Sequence, residues 1–141
     1  MTSVVTEETE DKYSSIQQLQ NLHLDASFTI GAETSNAITV NVQLKQDKAG
    51  TDVDARKTVF AYLSDDANGD SIVATAPDGG WAIGTDGLLI PVVASKAAFL
   101  TSESDGDIDV VITHAAGAKT LYLVLVMPNG RLVPSGAITF A

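Results

Sequence analysis

Residues 107–127 constrain the fold more than any other stretch, because two apolar runs flank a short connection. In residues 108–113, isoleucine and valine recur at every second position, the pattern of a strand with one face in the core. Residues 121–127 are apolar at seven consecutive positions, which predicts a strand covered on both faces. The connection, residues 115–118, contains only alanine and glycine. The stretch therefore predicts a central hairpin of an all-β domain.

Further strands are predicted from the same alternation. Residues 38–44 alternate strictly, and residues 58–63 place Phe60 and Tyr62 on one face. Pro91 confines its predicted strand to an edge or a bulge. The remaining predicted strands are 27–30, 72–74, 88–93, 97–102 and 137–140. Turns rich in Gly, Asp and Pro separate them, which predicts a single antiparallel β-sandwich over residues 26–141, either immunoglobulin-like or a jelly roll.

Residues 1–25 are predicted to form an N-terminal arm or short helix outside that domain. The stretch 13–24 spaces its aliphatic side chains as one narrow helical stripe, after a polar and acidic beginning. Two interpretations stay open: a helix lying on its own domain, or an arm docking on a neighbouring subunit. With the lone tryptophan, these side chains form the predicted partner-binding set: Ile16, Leu19, Leu22, Leu24 and Trp81.

The composition argues against several classes of partner. The net charge is −10 and only eight residues are basic, which disfavours binding to the phosphates of nucleic acid. The longest apolar run is seven residues, far short of a membrane helix, and the N-terminus lacks the features of a signal peptide. The absence of cysteine excludes a disulfide framework and a Cys-ligated zinc site. We therefore expect no nucleic acid, membrane or cofactor partner.

The loop around Asp66, Asn68 and Asp70 has oxygen ligands at alternate positions, as calcium loops often do. A helix-loop-helix calcium site counted from Asp66 needs Gly and Glu where this chain has Ser71 and Pro77. The motif therefore fails, and the loop is predicted to be a solvated turn.

A second acidic series, Asp105, Asp107 and Asp109, is expected to line one strand face, its repulsion screened by water. Glu103 with a neighbouring aspartate offers the two carboxylates of a glycosidase, a pairing that so acidic a chain produces by chance. No metal site is predicted in either acidic series.

No catalytic constellation emerges from the remaining residues. His23 and His114 are the only near-neutral bases, and no Gly-x-Ser-x-Gly motif supplies a nucleophile. The glycine-rich residues 79–84 lack the lysine of a phosphate-binding loop. Both histidines are predicted to be structural and the protein to be non-enzymatic. Trp81 is predicted either to cover the core edge, to contact a protein, or to stack with Tyr62 on a sugar.

Four stretches carry a resemblance to a known group of proteins: residues 60–70, 84–87, 104–109 and 127–132. The first reads Phe-Ala-Tyr-Leu-Ser-Asp-Asp-Ala-Asn-Gly-Asp, and the second contains a Thr-Asp-Gly turn that precedes a predicted strand. Together they resemble small virion structural proteins of tailed bacteriophages and the immunoglobulin-like modules of bacteria and phages, over residues 26–141.

The resemblance implies a structural component of a phage particle, made in the bacterial cytoplasm and located on the particle exterior. It implies decoration or cementing of the capsid as a symmetric homo-oligomer, in contact with the major capsid protein or other virion proteins. The alternative is a tail-associated or carbohydrate-binding immunoglobulin-like module.

Overall fold

The computed structural model describes residues 24–47 and 49–141. Predictions for residues 1–23, including the stripe of Ile16, Leu19 and Leu22, lie outside the described residues. The described part of the chain is built from ten strands: β1 Asp25–Ile30, β2 Ala37–Lys45, β3 Thr58–Ser64, β4 Trp81–Ile83, β5 Leu88–Val93, β6 Ala97–Thr101, β7 Asp107–Thr113, β8 Lys119–Val126, β9 Leu132–Pro134 and β10 Ile138–Phe140. Among these residues there is no helix long and apolar enough to cross a membrane.

The strands form two antiparallel sheets packed together, which confirms the predicted β-sandwich. The first sheet has the order β1-β2-β7-β4, and the second has the order β10-β8-β3-β6-β5, with β9 also paired to β8. Without the hairpin β5–β6, and with β9 and β10 together in the place of the last strand, the chain order and sheet order are those of a constant-type immunoglobulin sandwich. Of the two predicted topologies, the strand order therefore favours the immunoglobulin-like one.

The prediction that residues 107–127 form a hairpin is wrong. β7 pairs with β2 and β4 in the first sheet, whereas β8 pairs with β3, β9 and β10 in the second. The connection, residues 114–118, thus crosses the roughly 10 Å between the sheets of a sandwich. The hydrophobic patterns identified both strands correctly. Their pairing was inferred from the short connection between them, but a short connection can join strands of different sheets as well as the strands of a hairpin.

Two short strands were missed and one was predicted wrongly. β4 lies in the glycine-rich residues 79–84, where no strand was predicted, and β9 follows the turn after β8. The predicted strand at residues 72–74 is absent from the described structure, although Val73 is fully buried and its N–H donates to the carbonyl of Leu63. Val73 thus fills the core as a strand residue would, but residues 72–74 do not form the series of hydrogen bonds that defines a strand. The bulge and edge position predicted from Pro91 are confirmed in β5.

The core lies between the sheets and consists of the inward residues of each strand. Val40, Val42 and Leu44 of β2 face Leu121, Leu123 and Leu125 of β8 in this cluster, all fully buried. Burial of each such side chain stabilises the fold by about 1.5–3 kcal/mol before ordering costs. Leu24 also belongs to this core, so the domain begins earlier than the predicted boundary at residue 26.

Candidate functional site

The outer faces of the two sheets differ in chemistry. The first sheet has an outer face that is mostly polar: Thr39, Asn41 and Gln43 of β2 lie beside Asp107 and Asp109 of β7. This is the pattern expected of an antiparallel sheet with one face in water. The second sheet departs from it, because its outward residues are largely apolar.

An unbroken apolar row runs across five strands of the second sheet. Direct pairings join Ile90 to Phe99, Phe99 to Phe60, Phe60 to Val126, and Val126 to Leu132. A second row, one pleat away, consists of Val93, Ala97, Tyr62, Val124 and Pro134. We call these ten residues the apolar face. With neighbouring strands about 4.8 Å apart, it spans about 19 Å from β5 to β9.

Several side chains of the apolar face are open to solvent. Ile90 is 49% exposed, Phe99 42% and Leu132 39%. Phe99 packs edge-on against Phe60, with ring centroids 5.5 Å apart and an interplanar angle of 69°. Contiguous exposed apolar surface of this kind marks interaction sites in soluble proteins.

One end of the apolar face is closed by the loop after β3. The Tyr62 hydroxyl donates to the carbonyl of Gly69, at 2.5 Å. A Cβ at Gly69 would lie 3.1 Å from both γ-carbons of Val124, which is fully buried. This loop supplies the second cover that the apolar run of β8 was predicted to need. The loop thus covers Tyr62 and Val124 of the second row, and the first row, with Ile90, Phe99 and Leu132, stays open to solvent.

An acidic cluster lies on the outer face of the first sheet. Carboxylate oxygens of Asp86, Asp107 and Asp109 lie within 4.8 Å of one another. The amide of Asn41 donates to both Asp107 and Asp109, and the Thr85 hydroxyl donates to Asp109. Partial burial first, then the hydrogen bond and charge of Asp107, raise the pKa of Asp86. Oxygen ligands of this type suit a divalent cation, although calcium takes six to eight of them.

The prediction that Asp105, Asp107 and Asp109 line one strand face is wrong for Asp105. Asp107 and Asp109 share the outer face of β7, but Asp105 lies in the turn before that strand. Asp86 takes its place from the loop between β4 and β5, because the N–H of Asp109 donates to its carbonyl. Sequence spacing alone gave no signal for Asp86, since its approach depends on the pairing of β4 with β7.

The loop around Asp66 uses its carboxylates to hold its own backbone. Oδ2 of Asp66 accepts from the N–H groups of Asn68 and Asp70, at 2.9 and 3.1 Å. Oδ2 of Asp65 accepts from the N–H of Ala74. The loop is thus a set of side-chain-stabilised turns, as predicted.

His114 is buried at the end of β7 and plays a structural part. Its Nδ1 accepts from the N–H of Asp78 at 3.2 Å, so that nitrogen does not also donate to the nearby Asp78 carboxylate. The ring packs edge-on against Phe140, with centroids 5.7 Å apart. His114 therefore anchors the loop before β4, while His23 lies outside the described residues.

The predicted partner-binding residues separate into different environments. Trp81 pairs with Ile112 and packs half-buried against the core, which is the core-edge alternative. Leu24 is 2% exposed, which contradicts its assignment to a partner surface: its side chain fills its own core. Ile16, Leu19 and Leu22 lie outside the described residues.

Sequence reasoning did not identify the apolar face as a site. A signal was present in β3, where Phe60 and Tyr62 alternate with Val59, Ala61 and Leu63, so both faces are apolar. An antiparallel strand with water on one face should instead show polar residues at every second position.

Comparison of the chain with models of known protein families found no match. A search of curated protein sequences likewise found no matching protein.

Proposed function

We propose that the protein is a non-enzymatic structural component of a phage particle, attached to it through the apolar face of the second sheet. The observation that carries this proposal is the row from Ile90 through Phe99 and Phe60 to Leu132. No charged side chain interrupts this row in a chain of net charge −10. The resemblance of the turn motifs supplies the virion context.

The chemistry of the face favours a protein partner. Its exposed centre presents an aromatic ring flanked by aliphatic side chains, the composition found at the buried centres of protein interfaces. The acidic first sheet would then remain toward solvent on the particle exterior. In this proposal the protein decorates or cements the capsid as a symmetric oligomer, with the major capsid protein or another virion protein as its partner.

The proposal is tested by adding the purified protein to phage particles that lack it and measuring co-sedimentation. We expect saturable binding with a fixed number of copies per particle. Heads and tails separated before the experiment distinguish capsid decoration from a tail-associated role. Failure to bind either structure at micromolar concentration would overturn the proposal.

The carbohydrate-binding alternative receives less support from the placement of its two aromatic residues. Trp81 belongs to β4 of the first sheet and Tyr62 to β3 of the second, so they do not form one stacking platform. The Tyr62 hydroxyl is also engaged by Gly69. Binding of the isolated protein on a glycan array would nevertheless favour this alternative over the structural role.

A further inference from the structure

We propose that, in the free protein, residues 13–22 of the same chain cover the apolar face. The inference rests on the proposed function, because it describes what occupies the docking surface before attachment. It makes the segment of Ile16, Leu19 and Leu22 an intramolecular partner of the second sheet.

The place where the N-terminal segment joins the domain supports this occupant. Arg131 donates from Nη2 to the carbonyl of Leu24 and lies 3.7 Å from the Asp25 carboxylate. The next residue, Leu132, is the β9 member of the apolar row. The side chain of Arg131 thus links Leu24, the first described residue, to the near edge of the face.

The length and pattern of the segment suit the surface. Ten residues span about 15 Å as a helix and about 33 Å when extended, compared with about 19 Å across the face. Three aliphatic side chains recur at every third position, so a helix would present them together on one side. Gln17, Gln18 and Gln20 separate them and would remain in water.

Tethering favours this segment over a second copy of the protein. A short connection holds the segment at an effective concentration in the millimolar range, far above that of another copy in dilute solution.

The test uses the full chain, whose lack of cysteine allows single thiols to be placed at will. Leu132→Cys reports on the near edge of the face and Ile90→Cys on the far edge. Thr39→Cys, exposed on the outer face of the first sheet, is the reference. We expect the face thiols to react with a maleimide at least about tenfold more slowly than the reference, at a rate independent of protein concentration.

Matched charge variants identify the cover. Replacing Ile16, Leu19 and Leu22 together by Asp should raise labelling of both face thiols to the reference rate. Replacing Gln17, Gln18 and Gln20 by Asp adds the same charge and should leave protection intact. If the face thiols react at the reference rate in the protein with the unaltered segment, the proposal is overturned. Protection that is lost on dilution would also overturn it, because it would assign the cover to another copy. Neither result depends on particle binding, so co-sedimentation continues to test the proposed function separately.

Discussion

Phe99 of β6 packs edge-on against Phe60 of β3 on the outer side of the second sheet, with ring centroids 5.5 Å apart. Both rings lie on the side away from the core, and Phe99 is 42% exposed. The pair stands at the middle of a five-strand apolar row. Such an aromatic pair stabilises the fold by about 0.5–1.5 kcal/mol in addition to the effect of burying its surface. Because Phe99 is still partly exposed, binding of a partner would bury more of the pair.

Val124→Asp should destabilise the domain by at least about 4 kcal/mol, because it places a charge in a fully buried site under Gly69. Val92→Asp is the matched control, since Val92 is 55% exposed at the bulge of β5. Thermal unfolding followed by circular dichroism would compare the two. A folded Val124→Asp protein with an unchanged melting temperature would contradict the double cover of β8.

Tyr62→Phe should cost about 1 kcal/mol, because it removes the hydrogen bond to Gly69. Burial first, and then the charges of Asp70 and Asp66, raise the pKa of Tyr62. Because the pKa of Tyr62 is raised in the fold, the neutral phenol contributes to stability. That contribution is fully present below about pH 10, the pKa in the unfolded protein, and is lost as the pH rises through the pKa in the folded protein.

Alkaline melting curves provide the measurement for Tyr62. The wild-type protein should lose stability above about pH 10 more steeply than Tyr62→Phe, so the difference between them narrows. If the melting temperatures of the wild-type protein and Tyr62→Phe instead changed in parallel up to about pH 11.5, the prediction of a raised pKa for Tyr62 in the folded protein would be wrong.

Asp86→Asn should raise the melting temperature at pH 7, because it removes repulsion with Asp107 and Asp109. Because the pKa of Asp86 is raised in the fold, its ionised carboxylate lowers the stability of the folded protein. This destabilisation is fully present above the pKa of Asp86 in the folded protein. It disappears as pH falls below the unfolded value of about 3.9. Melting at pH 7 and pH 3 should therefore show a gain only at pH 7.

Asp54→Asn is a suitable control for this pair of measurements, because Asp54 is exposed and lies outside the acidic cluster. If Asp86→Asn melts at a lower temperature than the wild-type protein at pH 7, repulsion between Asp86 and the carboxylates of Asp107 and Asp109 does not lower the stability of the fold.

The sequence patterns predicted the layers of this fold better than its connections. Strict alternation in residues 38–44 identified β2, and seven apolar positions identified β8 as doubly covered. Whether β7 and β8 share a sheet depends on long-range pairing with β2 and β3, which local pattern does not encode. β4 escaped detection because three residues between glycines are too short for a periodicity.

The candidate sites also depend on long-range strand pairing and were therefore not predicted from local sequence patterns. Phe60 and Tyr62 were predicted on one face, but that face was recognisable as a surface only once β6 and β8 lay beside it. The approach of Asp86 to Asp109 likewise requires the pairing of β4 with β7.

The most direct measurement is the affinity of Ile90→Ser/Leu132→Ser for particles that lack the protein, determined by quantitative co-sedimentation. These positions bound the apolar row and are 49% and 39% exposed, so the domain should still fold. Val111→Ser, on the outer face of the first sheet, is the matched control. The account predicts affinity at least about tenfold weaker for the double variant and unchanged for the control. Wild-type affinity in the double variant, with circular dichroism confirming both folds, would contradict attachment through the apolar face.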